Sequence, residues 1–231
     1  MQDRASTEET GLDAVGWYGK LPALGDFASR RLAGEFIDAW DDWLARGIAA
    51  WREAAPDGWL DEYLAGPSWR FVLMPGVLPG RCGRMAWVGV LMPSVDRVGR
   101  YFPLTLAQPV SPLPADGATT EVLLRWLQRL DDAAVDALQD DWNIDQLDAA
   151  LARCGRWPPA ELPDDAATAG IDLQAHADGA TLWLGPDADG RTRLHTARGL
   201  PGGKAFRALL AGAPDDRSTT PPSTTADFHE H

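Results

Sequence analysis

Met85-Ala86-Trp87-Val88-Gly89-Val90-Leu91-Met92 is an almost unbroken apolar run, bounded by Gly83-Arg84 before it and Pro93 after it. A strand with one wet face alternates apolar and polar residues, whereas a strand covered on both faces has no reason to. The run therefore predicts a central strand, and at this length it is too short to cross a bilayer. Two further strand candidates flank it: Trp69 to Met74, held between Pro67 and Pro75-Gly76, and Tyr101 to Ala107. The connections are short enough for antiparallel neighbours, so the three form a meander with residues 85–92 in the middle.

Outward from the meander, Val15 to Lys20 reads as a short strand ending at Pro22. Thr181 to Leu184 and Thr192 to Thr196 read as a hairpin around residues 186–190. Gly34 to Ala54 is the clearest helix. Phe36, Trp40, Trp43, Leu44, Ile48 and Trp51 fall on one face at helical spacing, and Pro56 ends the pattern. This tryptophan stripe is read as core. Trp17, Trp69 and Trp87 on strands are likewise read as packing.

Asp57 to Leu64 is a shorter helix, stopped by Gly66-Pro67. Thr119 to Gln139 carries an apolar stripe of Leu123, Trp126, Leu127, Leu130, Ala134 and Leu138. Asn143 is a good N-cap, with Gln146 placed to close a capping box ahead of Ile144, Leu147, Leu151 and Cys154. Residues 157–170 read as loop, and Gly203 to Leu210 as a closing helix. The expected architecture is α/β (α+β): a mixed, mainly antiparallel sheet of about five strands with helices on both faces. Residues 1–13 are expected to be a flexible leader, 14–212 a single domain, and 213–231, rich in Pro, Ser, Thr and Asp, a disordered tail.

The chain of 231 residues has a formal charge of −13. That charge repels phosphate backbones and anionic lipid, which disfavours nucleic-acid binding and membrane-surface roles. The leader lacks the basic and apolar regions of a signal peptide. Cys82 and Cys154 have neither CxxC nor His spacing; the alternatives are one disulfide or two free, mostly buried thiols in a reducing compartment, and the free thiols are expected. A soluble, cytoplasmic protein is expected.

Chemistry-bearing patterns fail one by one. Leu200-Pro201-Gly202-Gly203-Lys204 hints at a phosphate loop, but Ala205 stands where a Ser or Thr would hold Mg²⁺. His176 and His195 are isolated, and His229-Glu230-His231 sits on the tail. Asp131-Asp132 and Asp140-Asp141 are read as solvated helix positions. No catalytic set, metal site or cofactor is expected, so the protein is read as a non-enzyme.

Two charged turns remain. Gly16-Trp17-Tyr18-Gly19-Lys20-Leu21-Pro22 runs on to Gly25-Asp26-Phe27. Either Lys20 and Asp26 make a polar cradle for a partner, or Asp26 bonds local amides and Lys20 is solvated. Met92-Pro93-Ser94-Val95-Asp96-Arg97-Val98-Gly99-Arg100-Tyr101-Phe102-Pro103 is the second. There Asp96 can pair with Arg97, with Arg100, or with Lys20 if the loops meet. The loop then either recognises a partner or staples the fold.

These two blocks resemble the signature stretches of the TagF family, accessory proteins of the bacterial type VI secretion apparatus. Ser29-Arg30-Arg31-Leu32 and Trp69-Arg70-Phe71 fit the same family. The resemblance implies a non-enzymatic, cytoplasmic accessory protein that acts by post-translational restraint of the apparatus, as a repressor. Its implied partner is the forkhead-associated (Fha) scaffold protein of the system. The candidate contact residues are Trp17, Gly19, Lys20, Asp26, Ser94, Asp96, Arg97 and Arg100. Alternatives are a structural component or cargo of the apparatus and, beyond those, an enzyme built on Asp26, Ser94 or Asp96.

Overall fold

The computed structural model of the chain describes residues 15–159, 170–186 and 191–211. The expected leader, the expected tail, most of the 157–170 loop and the 187–190 turn lie outside the described residues. Among the described residues seven strands form one sheet in the order β2-β1-β5-β4-β3-β6-β7. They are β1 (Gly16–Gly19), β2 (Ala28–Arg30), β3 (Trp69–Leu73), β4 (Ala86–Met92), β5 (Leu104–Val110), β6 (Ala180–Pro186) and β7 (Thr192–Arg198). Every neighbouring pair is antiparallel. The expected sheet of about five, mixed strands is thus corrected to seven, all antiparallel. The strand with no sequence forecast is β2, three residues of Ala-Ser-Arg that lack β-branched or aromatic side chains.

β4 lies between β3 and β5, as its apolar run requires, and all seven of its residues are buried. Its side chains alternate between two cores. Val88, Val90 and Met92 enter a layer rich in Val and Leu, and Trp87 and Leu91 enter one rich in aromatic rings. Gly89 falls on the aromatic side where a Cβ would overlap the Leu106 carbonyl oxygen and press on the Phe71 ring. β5 begins at Leu104 rather than Tyr101, because Tyr101 instead bridges Val95 across the intervening loop.

Among the described residues five α-helices cover the faces: α1 (Gly34–Ala54), α2 (Trp59–Leu64), α3 (Gly117–Gln139), α4 (Ile144–Cys154) and α5 (Gly203–Leu210). α1 buries Phe36, Trp40, Trp43, Leu44, Ile48 and Trp51, the six positions that its periodicity marked. Each such side chain contributes about 1.5–3 kcal/mol by leaving water. Indole donors inside this layer find partners: Trp40 Nε1 donates to Thr105 Oγ1 at 2.8 Å, and Trp43 Nε1 to the Pro201 carbonyl at 2.7 Å. On the opposite face α3 packs Leu123, Trp126, Leu127 and Leu130 against the Val and Leu side chains of β4 and β5. Asp116 caps α3, and Asn143 and Gln146 close the capping box of α4. Cys82 and Cys154 are free thiols, the first buried and the second half-buried.

Candidate functional site

β1 and β5 are hydrogen-bonded neighbours, with Trp17 opposite Leu106 and Tyr18 opposite Thr105. The loop that leaves β1 therefore meets the loop that leads into β5. Gly19 makes this approach possible. Its φ of 137° is one that L side chains rarely adopt, and a Cβ would overlap the Pro103 carbonyl oxygen.

Where the loops meet, Lys20 Nζ lies 2.6 Å from Asp96 Oδ2. Both residues are only 3% exposed. Asp96 also receives Arg100 Nε at 2.7 Å, and its Oδ1 accepts the amides of Val98 at 3.0 Å and Arg100 at 2.9 Å. Burial alone raises the Asp96 carboxyl. The Lys20 ammonium, the Arg100 amide and guanidinium and the Val98 amide outweigh it, holding the group well below the usual carboxylate range. Ser94 Oγ donates to the Lys20 carbonyl at 2.8 Å, a second tie between the loops. Tyr63 of α2 donates its hydroxyl to the Ser94 carbonyl at 3.0 Å and accepts the Ser94 amide at 2.9 Å.

Above this knot sits an aromatic lid. Lys20 Nζ is 4.3 Å from the centre of the Phe27 ring. Phe27 meets Phe102 edge-on at 4.9 Å, and Tyr18 stacks on Phe27 at 5.9 Å. Tyr18 donates its hydroxyl to Asp41 of α1, and burial followed by that carboxylate pushes its pKa up. Arg100 also donates to the Gly25 carbonyl, and the Arg97 amide donates to the Leu24 carbonyl at 2.8 Å.

The eight sequence candidates thus divide. Gly19, Lys20, Ser94, Asp96 and Arg100 converge in one knot. Lys20 is not solvated, and Asp96 pairs with Lys20 and Arg100 rather than Arg97. Trp17 is fully buried and donates to Asp148 of α4 at 2.9 Å, which places it in the scaffold and off the surface. Asp26 is exposed and bonds the adjacent Phe27 amide at 2.8 Å. Arg97 is exposed, in an open rim with Phe27 (44% exposed) and Val98 (63%). Phe27 and Val98 were quoted within the signature blocks but not singled out. An aromatic and a valine in polar turns were the available signal. Tyr63 had none, since its role arises from α2 docking under the second loop.

Residues 16–154 match the family described as TagF N-terminal domain, type VI secretion system-associated. The chain belongs to this family, and it is type VI secretion system-associated in that sense. It is also similar to PA0076 from Pseudomonas aeruginosa PAO1, known from a crystal structure. Identity is 33% over 90% of this chain and 99% of that one, with a TM-score of 0.66. No curated protein matches the chain. No helix among the described residues is long and apolar enough to cross a membrane.

Proposed function

We propose that this chain is a cytoplasmic, non-enzymatic regulator of a type VI secretion system, acting after translation as a repressor by binding the system's forkhead-associated scaffold protein. Membership of the TagF family supports the setting. The observation that carries the binding reading is the Lys20–Asp96 pair. It clasps the two signature stretches into one rigid unit, with Phe27, Arg97 and Val98 on its open side. A preorganised rim with an aromatic and an arginine is a fit basis for recognition, because such residues dominate binding energy and little ordering remains to be done.

The test uses Phe27→Ala/Arg97→Ala, which removes the ring over Lys20 but keeps the Lys20–Asp96 pair and the hydrogen bonds of the knot. The variant should lose pull-down of the forkhead-associated protein while keeping its far-ultraviolet circular dichroism. In the host, it should no longer restrain secretion of the system's tube protein. Retained binding together with full restraint would overturn the assignment.

A further inference from the structure

α2 is six residues long, too short to persist as a helix by its own hydrogen bonds. Its position is set by what it touches, and two consecutive residues, about 100° apart around the axis, touch different parts of the molecule. Glu62 faces α5. Its carboxylate accepts Arg207 Nε at 2.9 Å and Nη2 at 2.6 Å, and also Trp51 Nε1 of α1 at 3.1 Å. Tyr63 faces the second signature stretch, where its hydroxyl both donates to the Ser94 carbonyl and accepts the Ser94 amide. Burial pushes the Tyr63 hydroxyl well above its usual value, so it stays protonated and can do both at once.

Both ends of this connection are firmly seated. In α5, Phe206, Leu209 and Leu210 are buried, and the Leu209 carbonyl accepts Trp69 Nε1. Just past α2, Gly66 packs so closely that a Cβ would overlap the Leu210 carbonyl oxygen and press on the ring of Pro93, the first residue beyond β4. Ser94 follows Pro93 and closes the base of the loop that carries Arg97 and Val98. Its carbonyl accepts the Phe102 amide at 3.1 Å besides the Tyr63 hydroxyl, and its Oγ holds the Lys20 carbonyl at 2.8 Å. Tyr101, at the far end of that loop, meets Trp59 edge-on at 5.8 Å and Tyr63 at 6.2 Å.

We infer that α2 is a brace through which the C-terminal helix α5 positions the rim: Arg207 holds α2 through Glu62, and α2 holds residues 94–102 through Tyr63. Tyr63 and Arg207 are positioning residues, acting on the rim through Ser94 and through Glu62. The path is a contiguous set of packed side chains and hydrogen bonds, the kind of network that carries coupling between separate sites. Its consequence for docking rests on the binding reading above; the mechanical link does not.

Hydrogen–deuterium exchange on the full chain, with no partner present, tests the link. Arg207→Ala alters an exposed side chain of α5 and leaves Tyr63 in place. It should speed exchange across residues 94–102 about fivefold or more, with α3 and α4 on the opposite face unchanged. Arg207→Lys, which keeps a cation for Glu62, should restore most of the protection. Tyr63→Phe should loosen the same residues, and the double variant should exchange no faster than Tyr63→Phe alone, because both act along one path. Should Tyr63→Phe unfold, the two Arg207 variants decide alone. Unchanged exchange at 94–102 in Arg207→Ala would overturn the inference. So would additive effects in the double variant, or an equal rise across α3 and α4, which marks general loosening. Titration with the forkhead-associated protein then separates this inference from the docking reading, and Arg207→Ala should weaken affinity about fivefold. Faster exchange with undiminished affinity would overturn the brace's part in docking and leave the Phe27–Arg97 assignment standing. Undiminished capture by Phe27→Ala/Arg97→Ala would end that assignment, and the exchange results would still decide the brace.

Discussion

Two ion pairs among the described residues, one buried and one largely buried, are built in opposite ways. At Lys20–Asp96 both oxygens of the carboxylate are occupied, by an ammonium, a guanidinium and two backbone amides. At Arg70–Asp131, between β3 and α3, Nε stands 3.9 Å from Oδ2, and both Arg70 Nε and Asp131 Oδ1 are buried without a hydrogen-bond partner. Burial raises the Asp131 carboxyl, and the Ser68 hydroxyl and the Arg70 charge counter it only in part. Arg70 is instead satisfied sideways, by Gln128 Oε1 at 2.7 Å and by Thr192. The same kind of pair is therefore a clasp in one place and a tolerated misfit in the other. What separates them is whether the backbone of a loop depends on the carboxylate.

The contrast breaks most sharply under paired apolar replacement. Lys20→Met/Asp96→Leu strips the Val98 and Arg100 amides of their acceptor, and should lower the melting temperature by about 10 °C or more. A drop under about 2 °C would show that the clasp is dispensable. Gly19→Ala attacks the same junction through sterics, forcing the β1 loop away from Pro103. We expect a loss of about 5–10 °C by differential scanning calorimetry. An unchanged midpoint would mean that the approach of the two stretches is not needed.

Acid titration sharpens the comparison. The folded Asp96 carboxyl lies below its unfolded value of about 3.9, so its stabilising contribution is complete above that pH and is lost as the pH falls towards the folded value. Asp96→Asn should accordingly flatten the acid limb of the stability profile in chemical denaturation between about pH 5 and 2. Asp131 has the opposite sign, being raised: as pH rises from the unfolded value through the folded one, it removes stability. An acid limb as steep as that of the unaltered protein would contradict the assignment to Asp96. The smallest effect is expected at the misfit. Arg70→Met/Asp131→Leu should leave the melting temperature within about 3 °C or raise it, since apolar replacement of an ill-satisfied buried pair is often neutral or better.

Much of the fold was legible because it rests on patterns local in sequence. The unbroken run at Met85–Met92 located the central strand, and the six apolar positions of Gly34–Ala54 all turned inward. The Asn143–Gln146 capping box was readable from residue type and spacing alone. β2 was not, because its three polar-leaning residues are strand only by pairing with β1. Asp131 was misread as solvated, since nothing along α3 reveals that Arg70 of β3 arrives beside it.

The site was legible in half. Its blocks stood out, and the Lys20–Asp96 pairing followed if the loops met. Whether they met depended on β1 lying beside β5, a contact across about 90 residues of chain that no local pattern encodes. The split between buried knot and open rim, and the presence of Tyr63 beneath, depended on the same contact.

The central claim is that the clasped stretches present Phe27, Arg97 and Val98 to the forkhead-associated scaffold protein. Hydrogen–deuterium exchange on the purified complex tests it most directly. The account predicts protection on binding across residues 24–27 and 96–102, with α3 and α4 unchanged. A complex that forms with those loops exchanging as fast as in the free protein would contradict it.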